Sequence, residues 1–446
     1  MTFNLPNTVK FALNSLEKAG YEAFIVGGCV RDILRGEAPS DYDITTSAEP
    51  EQTIAVFKNE RIIETGLKHG TVTLIKDGMP LEITTYRIDG DYIDNRRPDS
   101  VIFTRTLTED LARRDFTVNA FAYSPKTGVI DVFGGKEDLK NGIIRTVGDA
   151  DRRFNEDALR IMRAIRFASV LGFKIEENTK KSILKNKNLL KNISAERIAA
   201  ELLKLLTGLN AKNIILEYID VLEVILPEII GMKNFNQRNP HHIYDVLTHT
   251  AVALENTPPE PVLRLTMLLH DSGKPDVFTT DESGVGHFYG HPSIGVQKAK
   301  SALSRLKLDN ATTNLALTLI KYHDADIKPT KQSVKRALNK LTPEVFFKLL
   351  EIKKADNLAQ NPKYNRIEQI TALKSIAEEI INNNECFLIK HLAVNGNDLI
   401  KSGVPAGKEL GKRLEFLLDA VIKNKTKNEK ESLLAFLKEE FKTRPF

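Results

Sequence analysis

The stretch Gly27-Gly28-Cys29-Val30-Arg31-Asp32 decides the fold, together with Asp41-Tyr42-Asp43 a short distance further along the chain. An apolar run leads into the double glycine, so the pattern predicts a strand, a tight turn, a helix, a turn and a second strand. A glycine turn lets backbone N–H groups approach an anion, because no Cβ stands in the way. The helix that follows directs its positive end to the same place. The turn is therefore a candidate phosphate-binding site.

Two carboxylates lie on the second predicted strand. Asp41 and Asp43 alternate with Tyr42, so both side chains lie on the same face of that strand. Carboxylates this close repel each other unless a cation lies between them, and an oxygen-rich site with open positions suits Mg²⁺. Either feature alone is common in ordinary turns and solvated strand ends. With twelve residues between Gly28 and Asp41, the combination resembles the polymerase β-like nucleotidyltransferases.

Length and composition bound the class of protein. A chain of 446 residues is too long for one core, so about two to four domains are expected. No apolar run approaches the ~20 residues that span a bilayer, and the N-terminus lacks the pattern of a signal peptide. Two cysteines, Cys29 and Cys386, form no disulfide framework, which fits a reducing cytoplasm. A net charge of +5 permits nucleic-acid binding without requiring it.

An amphipathic helix is predicted at residues 1–22 and a second helix at residues 50–58, and a β-hairpin follows. Its strands are residues 70–76 and 81–87, joined by the turn signal Asp77-Gly78. Glu82 faces opposite to Leu81 and Ile83 on the second strand. If that strand pairs beside the two aspartates, Glu82 is a candidate third carboxylate. A surface glutamate is the alternative.

A polar, turn-rich loop covers residues 88–103 and contains Arg96-Arg97-Pro98. The run Arg113-Arg114-Asp115-Phe116-Thr117-Val118-Asn119-Ala120 then joins two adjacent arginines to a helical pattern. Paired arginines near carboxylates usually contact phosphate, although a salt-bridged surface is the alternative. A strand at residues 129–133 closes an α+β unit near residue 140. From about residue 150 the pattern is helical almost throughout.

Residues 154–167 predict one continuous helix with an apolar face and an arginine face. At ~100° per residue, the arginines form a ladder that begins beside Asp157, opposite the apolar side chains. The members of this ladder are Arg160, Arg163 and Arg166. Ion-pair decoration of a solvated helix is the alternative interpretation.

The pair Asp157 and Arg160 could select a nucleotide base. Three residues apart on a helix, they would lie side by side and offer an acceptor next to a donor. Cytosine and adenine each present an amino donor beside a ring-nitrogen acceptor, whereas uracil and guanine present a carbonyl beside an N–H. The pair would therefore accept C and A and reject U and G without a nucleic-acid template.

These motifs, taken in order with Glu156-Asp157-x-x-Arg160, resemble the class II tRNA nucleotidyltransferases, the CCA-adding enzymes, and the related bacterial poly(A) polymerases. The resemblance implies an α+β fold: a polymerase β-like head with a small mixed sheet, which alone contains sheet, and then an all-α neck, body and tail. It implies Asp41 and Asp43 as the catalytic Mg²⁺ ligands. It implies contacts to the nucleotide by a further set of residues: Gly28, Arg31, Arg114, Asp157, Arg160, Arg163 and Arg166.

The activity that this resemblance implies is addition and repair of the 3′-terminal CCA of tRNA from CTP and ATP. The loop at 88–103 resembles the segment that such enzymes use to switch from C to A. A poly(A) polymerase or an enzyme that adds only part of CCA is the alternative. The expected partners are the tRNA 3′ end, ATP and CTP, with no membrane, and the chain is expected to be a monomer or a homodimer.

A second cluster of chemistry-bearing residues follows, because six of the nine histidines lie between positions 241 and 291. A histidine, a His-Asp pair and a distant aspartate, each on an apolar helix, suit a four-ligand metal site. The segment resembles the HD phosphohydrolase domain, which implies a second divalent metal and a metal-dependent phosphohydrolase activity. The matching metal positions are His249, His270, Asp271 and Asp356, and the resemblance gives His291 and His323 a part in phosphate binding. A retained helical scaffold that binds tRNA is the alternative.

Four domains are predicted on this basis: the head at 1–145, a helical neck at 146–235, the HD-like domain at 236–362 and a tRNA-binding tail at 363–446. In the tail, Lys408, Lys412 and Arg413 are placed to meet phosphates. A solvated surface is an equally good interpretation of those three residues.

Overall fold

The structure is a computed structural model and describes residues 3–89 and 101–443. Its contacts divide the chain into two compact units. The first contains Met1–Ile230 with Arg305–Leu308, and the second contains Gly231–Ser304 with Asp309–Phe446. The predicted switching motif Arg96-Arg97-Pro98 lies outside the described residues. Each unit is described by itself below.

The strands occur mostly in the first part of the chain. They are β1 Ala23–Val26, β2 Asp43–Thr46, β3 Arg61–Gly66, β4 Thr71–Lys76, β5 Met79–Thr85, β6 Arg87–Asp89, β7 Val101–Phe103, β8 Phe121–Ser124, β9 Gly128–Asp131, β10 Ile143–Ile144, β11 Lys174–Ile175, β12 Thr279–Thr280 and β13 Gly286–His287. The helices of the first unit are α1 Asn7–Lys18, α2 Gly28–Leu34, α3 Pro50–Val56, α4 Leu107–Ala112, α5 Gly135–Asn141, α6 Ala150–Glu156, α7 Leu159–Leu171, α8 Glu177–Asn186, α9 Ala195–Leu206, α10 Ala211–Glu217 and α11 Ile219–Ile225.

The remaining helices follow in the second part of the chain. They are α12 Val246–Asn256, α13 Pro261–Leu269, α14 His291–Arg305, α15 Asn310–Tyr322, α16 Lys331–Leu341, α17 Pro343–Leu358, α18 Ile367–Asn382, α19 Gly396–Lys401, α20 Lys408–Ile422 and α21 Lys430–Thr443.

A seven-stranded sheet in the order β3-β4-β5-β2-β1-β8-β9 organises the first unit. Its neighbours pair antiparallel except β2 and β5, which are parallel, so the predicted mixed sheet is confirmed. The predicted hairpin is also present, and Asp77 and Gly78 both have positive φ, 53° and 77°. Positive φ at both positions of a two-residue turn matches the right-handed twist of the strands it joins.

Parallel pairing of β2 with β5 places Glu82 directly opposite Asp43 in register. This is the pairing on which the candidate third carboxylate depended. The sheet is held from one side by α1, whose buried residues Val9, Leu13 and Leu16 join the same core as Ile25. Burial of that stripe confirms the first predicted amphipathic helix, although it spans only Asn7–Lys18.

The predicted continuous helix at 154–167 is wrong. Helix α6 ends at Glu156, Asp157 has extended backbone angles (φ −132°, ψ 103°), and α7 begins at Leu159. The apolar face is as predicted, since Ile161 and Ile165 are fully buried. The opposite face is not a solvated ladder, because Arg160 is only 8% exposed. Asp157 accepts from the nearby N–H of Leu159 and from Arg197 on a separate helix, and hydrophobic periodicity reveals neither bond.

Sheet is not confined to the head, contrary to the resemblance. The two-residue strands β10 and β11 pair in parallel, and β12 and β13 pair antiparallel in the second unit. Strands of two residues carry no detectable period, so the sequence gives no signal for them. Otherwise the second unit is helical, and no described helix combines the length and the apolar character needed to cross a bilayer.

Candidate functional site

The double-glycine turn is lined by two of the predicted phosphate-contacting arginines. Gly27 has φ +78°, and a Cβ on it would lie 2.8 Å from Nη1 of Arg114. A Cβ on Gly28 would lie 3.5 Å from Nη2 of Arg31. Both guanidinium groups therefore come against the backbone of this turn. Only Gly27 requires a residue without a side chain, because it combines a positive φ with the short contact, whereas the distance at Gly28 is an ordinary van der Waals separation.

Asp41, Asp43 and Glu82 influence one another electrostatically at the neighbouring ends of β2 and β5. Burial, followed by the charges of Asp41 and Glu82, raises the pKa of Asp43 from 3.8 to about 6. Arg114 acts in the opposite direction. The Asp43 side chain nevertheless keeps solvent access at the strand end, so an ion can reach it. An exposed, crowded set of oxygen ligands with open positions fits Mg²⁺.

Arg114 is held near Asp43 by a buried acid. Its Nη2 lies 3.7 Å from Oδ2 of Asp110, and Asp110 also pairs with Arg113 at 2.8 Å. Despite burial, these two arginines lower the pKa of Asp110, which keeps its carboxylate charged. The Nε of Arg114 is buried without a protein partner. The guanidinium therefore retains a donor for a ligand, as a phosphate-binding arginine requires.

A hydrogen-bond chain connects helix α7 to helix α2. Arg163 donates from Nε and Nη2 to Oδ2 of Asp115, at 2.8 and 2.6 Å. Asn119 donates to Oδ1 of Asp115 at 3.0 Å and accepts from Nη1 of Arg31 at 2.6 Å. Burial opposes ionisation of Asp115, but Arg163 and Asn119 outweigh it and lower its pKa to about 2.

Asp157 and Arg160 do not lie side by side on the exposed face of one helix, as the sequence predicted, because Asp157 lies between α6 and α7. Asp157 accepts from the backbone N–H of Leu159 at 3.1 Å and from Nη2 of Arg197 at 2.9 Å. Arg160 donates to Glu156 at 2.9 Å and to the carbonyl oxygen of Arg113 at 2.8 Å. Each side chain is thus fixed by its own partners, and their nucleotide-binding role stays a prediction.

Helix α9 supplies two site partners that sequence reasoning missed. Arg197 binds Asp157, and Glu201, one turn later, accepts from Arg166 at 2.8 Å and lies 3.7 Å from Arg163. Their i, i+4 spacing predicts a pair within the helix, so it gave no signal for these contacts to other segments. The centroid of the Phe167 ring lies 3.5 Å from Cζ of Arg166, a cation–π contact that the helical pattern does not indicate.

The structure brings the four predicted HD-like residues together in the second unit. Nε2 of His249 lies 2.8 Å from Asp356, and Nε2 of His270 lies 3.2 Å from Asp271. Burial alone would lower the pKa of His270, but Asp271 and Asp356 raise it to about 10. Without a cation the two carboxylates therefore hold a proton on this ring. The donor set of imidazole nitrogens and carboxylate oxygens suits Zn²⁺, Mn²⁺ or Fe²⁺.

Lys274 and a cavity complete this second cluster. The Nζ of Lys274 is buried 2.7 Å from Oδ2 of Asp271, a partner that the spacing of three residues could have indicated. A cavity of about 280 Å³ opens onto the cluster. Its wall includes Asn239, Lys274, His291 and Gln360.

Family models match three regions of the chain. Residues 23–145 match the poly(A) polymerase head domain, residues 172–232 match a probable RNA- and SrmB-binding site of polymerase A, and residues 278–437 match a putative tRNA nucleotidyltransferase domain 2. The CCA-adding enzyme of Geobacillus stearothermophilus is 35% identical over 435 residues, covering 97% of this chain and 96% of the relative. The chain belongs to the family of CCA-adding enzymes.

Two further likenesses agree with that family. The CCA-adding enzyme of Geobacillus thermodenitrificans is 53% identical over 196 residues, which are 44% of this chain and 48% of the relative. The crystal structure of the Bacillus stearothermophilus CCA-adding enzyme in complex with CTP has a TM-score of 0.72 at 30% identity and covers 99% of both chains. CCA-adding enzymes are nucleotidyltransferases that act on tRNA, so the family prediction, the enzyme class and the α+β fold are confirmed.

Proposed function

We propose that this chain adds the 3′-terminal CCA of tRNA, using CTP and ATP, at the site formed by β2, β5 and the double-glycine turn. The observation that carries the proposal is the parallel register that places Glu82 opposite Asp43, beside a turn that Arg114 closely approaches. Two relatives that align over 96% and 95% of their length are CCA-adding enzymes, which supports CCA addition over poly(A) addition. Arg31 and Arg114 bind the triphosphate in this proposal.

Asp41 and Asp43 would hold Mg²⁺, with Glu82 as a third carboxylate. When bound there, Mg²⁺ lowers the pKa of the attacking 3′-hydroxyl and neutralises charge on the leaving pyrophosphate. Arg114 keeps a free donor for the phosphates, and the buried Asp110 holds it in position. The tRNA 3′-hydroxyl replaces pyrophosphate on the α-phosphorus, so no side-chain nucleophile is required.

In this proposal Asp157 and Arg160 select the base, and each is held in a fixed orientation by its own hydrogen-bond partners. Arg197 occupies one oxygen of Asp157, and Glu156 anchors Arg160. A carboxylate that cannot turn away repels the carbonyl of uracil at the position where cytosine and adenine carry an amino group. Arg163 and Arg166 would contact the base or phosphate from the same helix.

A transcribed tRNA that ends at the discriminator base tests the proposal. Purified protein is incubated with that tRNA and CTP, ATP or both, and the 3′ ends are sequenced. Sequential addition of C, C and A is expected, and a run of A from ATP alone would indicate a poly(A) polymerase. Asp41→Ala should abolish incorporation, and Asp149→Asn, at a helix cap in the same unit, is the control. Unchanged addition by Asp41→Ala would show the head assignment to be wrong.

We infer a second activity, metal-dependent phosphoester hydrolysis, at the HD-like cluster. Its support is the convergence of His249, His270, Asp271 and Asp356 beside a cavity that contains a buried lysine. A divalent cation held there would polarise a phosphoester and activate water. The chain's own Lys274 would bind the phosphate oxygens.

Hydrolysis of p-nitrophenyl phosphate and bis-p-nitrophenyl phosphate with added Mn²⁺, Mg²⁺ or Ni²⁺ tests this second activity. His270→Ala should abolish hydrolysis and retain CCA addition, and Asp41→Ala should do the reverse. Loss of both activities in either variant, with normal folding, would refute the division of chemistry between the two sites.

We also propose a cytoplasmic location, a tRNA-binding tail at 363–446, and a monomer or homodimer.

A further inference from the structure

The ring of Phe167 on helix α7 lies among three of the arginines proposed to contact the nucleotide. Cζ of Arg166 is 3.5 Å from the ring centroid, and Cζ of Arg31 and Cζ of Arg163 are each 5.3 Å from it. All three distances are within the ~6 Å at which an aromatic face attracts a cation. The ring itself is only 6% exposed, so water screens these contacts little.

The three arginines come from two helices, which is more than local helical geometry provides. Arg163 is four residues before Phe167 on α7, so these two side chains are neighbours on any helix. Arg31 belongs to α2, which begins at the double-glycine turn, and it reaches the ring through tertiary packing. Phe116 packs against the same ring in a T-shaped arrangement, with the two centroids 5.8 Å apart. The ring therefore joins the turn proposed to bind the triphosphate to the helix that follows Asp157.

Each of the three arginines also donates to a carboxylate, through hydrogen bonds that end on a single oxygen. The acceptors are Oδ1 of Asp32 for Arg31, Oδ2 of Asp115 for Arg163 and Oε2 of Glu201 for Arg166. Bonds to one oxygen restrain one edge of a guanidinium and leave its plane free to tilt, whereas stacking on a ring face restrains the plane. Arg31 has a further acceptor in Asn119, so the ring matters most for the two arginines of α7.

We propose that Phe167 is a positioning residue for the incoming nucleotide, and that its ring face fixes the guanidinium planes of Arg31, Arg163 and Arg166. An N–H group donates well only when it points at the acceptor. A fixed plane therefore keeps the remaining N–H groups of these arginines aligned before the nucleotide arrives, which lowers the cost of binding. The inference rests on the proposed CCA addition for the identity of the ligands, CTP and ATP.

Stepwise fluorination of the ring tests this role, because each fluorine withdraws electrons from the ring face and changes the shape of the ring little. Full-length protein is made with phenylalanine, 4-fluoro-, 3,5-difluoro- or 3,4,5-trifluorophenylalanine at position 167. Isothermal titration calorimetry then gives Kd for CTP and for ATP in the presence of Mg²⁺. The logarithm of each Kd should rise with the number of fluorines, and three fluorines should weaken binding about 10-fold. KM in the addition reaction should rise in parallel, with kcat nearly unchanged.

The matched control is the same fluorination series at Phe57, a buried ring in the apolar core of the sheet. Fluorines at Phe57 should leave both Kd values unchanged. Phe167→Leu fills the site without a ring face and should raise both Kd values at least as much as the trifluorinated ring, and circular dichroism checks its folding.

Two results would overturn the role of Phe167 alone: Kd values that do not depend on the number of fluorines at position 167, or unchanged Kd values in a folded Phe167→Leu variant. Unsubstituted protein that binds neither CTP nor ATP would instead refute the proposed function, and the role of Phe167 with it.

Discussion

Asp115→Asn is the most quantitative test of the chain that joins helix α7 to helix α2. The substitution conserves size but removes the charge that Arg163 contacts through two hydrogen bonds. Asp115 is 9% exposed as a side chain and Arg163 is 33% exposed, so solvent screens the pair only in part. The pKa of Asp115 falls from 3.8 to about 2, which corresponds to about 2.5 kcal/mol of stability at neutral pH.

The expected loss for Asp115→Asn is therefore about 2–3 kcal/mol at pH 7, which is below the ~3–5 kcal/mol of a fully buried ion pair because Arg163 is partly exposed. Because the folded pKa is depressed, the contribution is present above the unfolded value of about 3.8 and is lost as the pH falls toward 2. At pH 3 about half of it should remain. The difference between wild type and variant should thus be constant from pH 7 to 5 and then decrease.

Urea unfolding followed by circular dichroism measures the difference, and peptide-resolved hydrogen exchange assigns the transition to the unit that contains α7. Asp149→Asn is the control, because Asp149 accepts from the N–H of Arg152 as a helix cap and asparagine caps equally well. A loss below about 0.5 kcal/mol for Asp115→Asn, or a penalty that does not change between pH 7 and 3, would refute the reasoning.

Three further predictions concern the nucleotidyltransferase site. Asp157→Asn should reduce the preference for CTP over UTP by about 10- to 100-fold, because an amide can turn its N–H₂ toward the uracil carbonyl. The preference is measured as the ratio of the two kcat/KM values. An unchanged ratio would exclude Asp157 from base selection. Gly27→Ala should lower kcat/KM for CTP at least about 10-fold, since its Cβ would lie 2.8 Å from Arg114. Gly20→Ala is the control, because Gly20 has φ +91° and no atom within 4 Å of the added Cβ, so this substitution strains the backbone alone. Equal effects of the two substitutions on kcat/KM would contradict the role of the turn. Asp43→Asn should raise the thermal midpoint of the metal-free protein at pH 7, because a carboxyl pKa raised to about 6 makes the folded state lose stability as the pH rises from about 4 to 6. Calorimetry in the presence of a chelator should show that this increase in the thermal midpoint disappears below about pH 4. A lower thermal midpoint of the variant at pH 7 would contradict the prediction.

Local pattern determined the head of this protein. The turn signal Asp77-Gly78, the strand alternation around Glu82 and the double glycine each act over a few residues, where steric preference and side-chain period are strong. The sequence could not show that β5 pairs with β2, because parallel strands are joined by a long connection and their pairing is not a local property. Only the folded sheet places Glu82 opposite Asp43.

Tertiary contacts contribute to the helix break at Asp157 and to the burial of Arg160, the two residues proposed to select the base. Composition and period predicted a continuous helix through Asp157, but its carboxylate accepts a tertiary hydrogen bond from Arg197 in addition to a local one from the N–H of Leu159. Two hydrogen bonds to an ionised group outweigh the small propensity difference of one residue. Arg160 is buried for the same reason, because Glu156 and a backbone oxygen satisfy its guanidinium.

The sequence by itself determined which residue types were available: the acidic pair, the glycine turn, the arginines, and the histidines and aspartates of the second cluster. Only the tertiary structure decided how they are shared. It divides the two oxygens of Asp271 between two pairs of histidines and directs every Nε2 inward. Such a division depends on how separate helices pack, because His249, His291 and His323 reach Asp271 from other parts of the chain, and the spacing of residues along a chain carries no information about that packing.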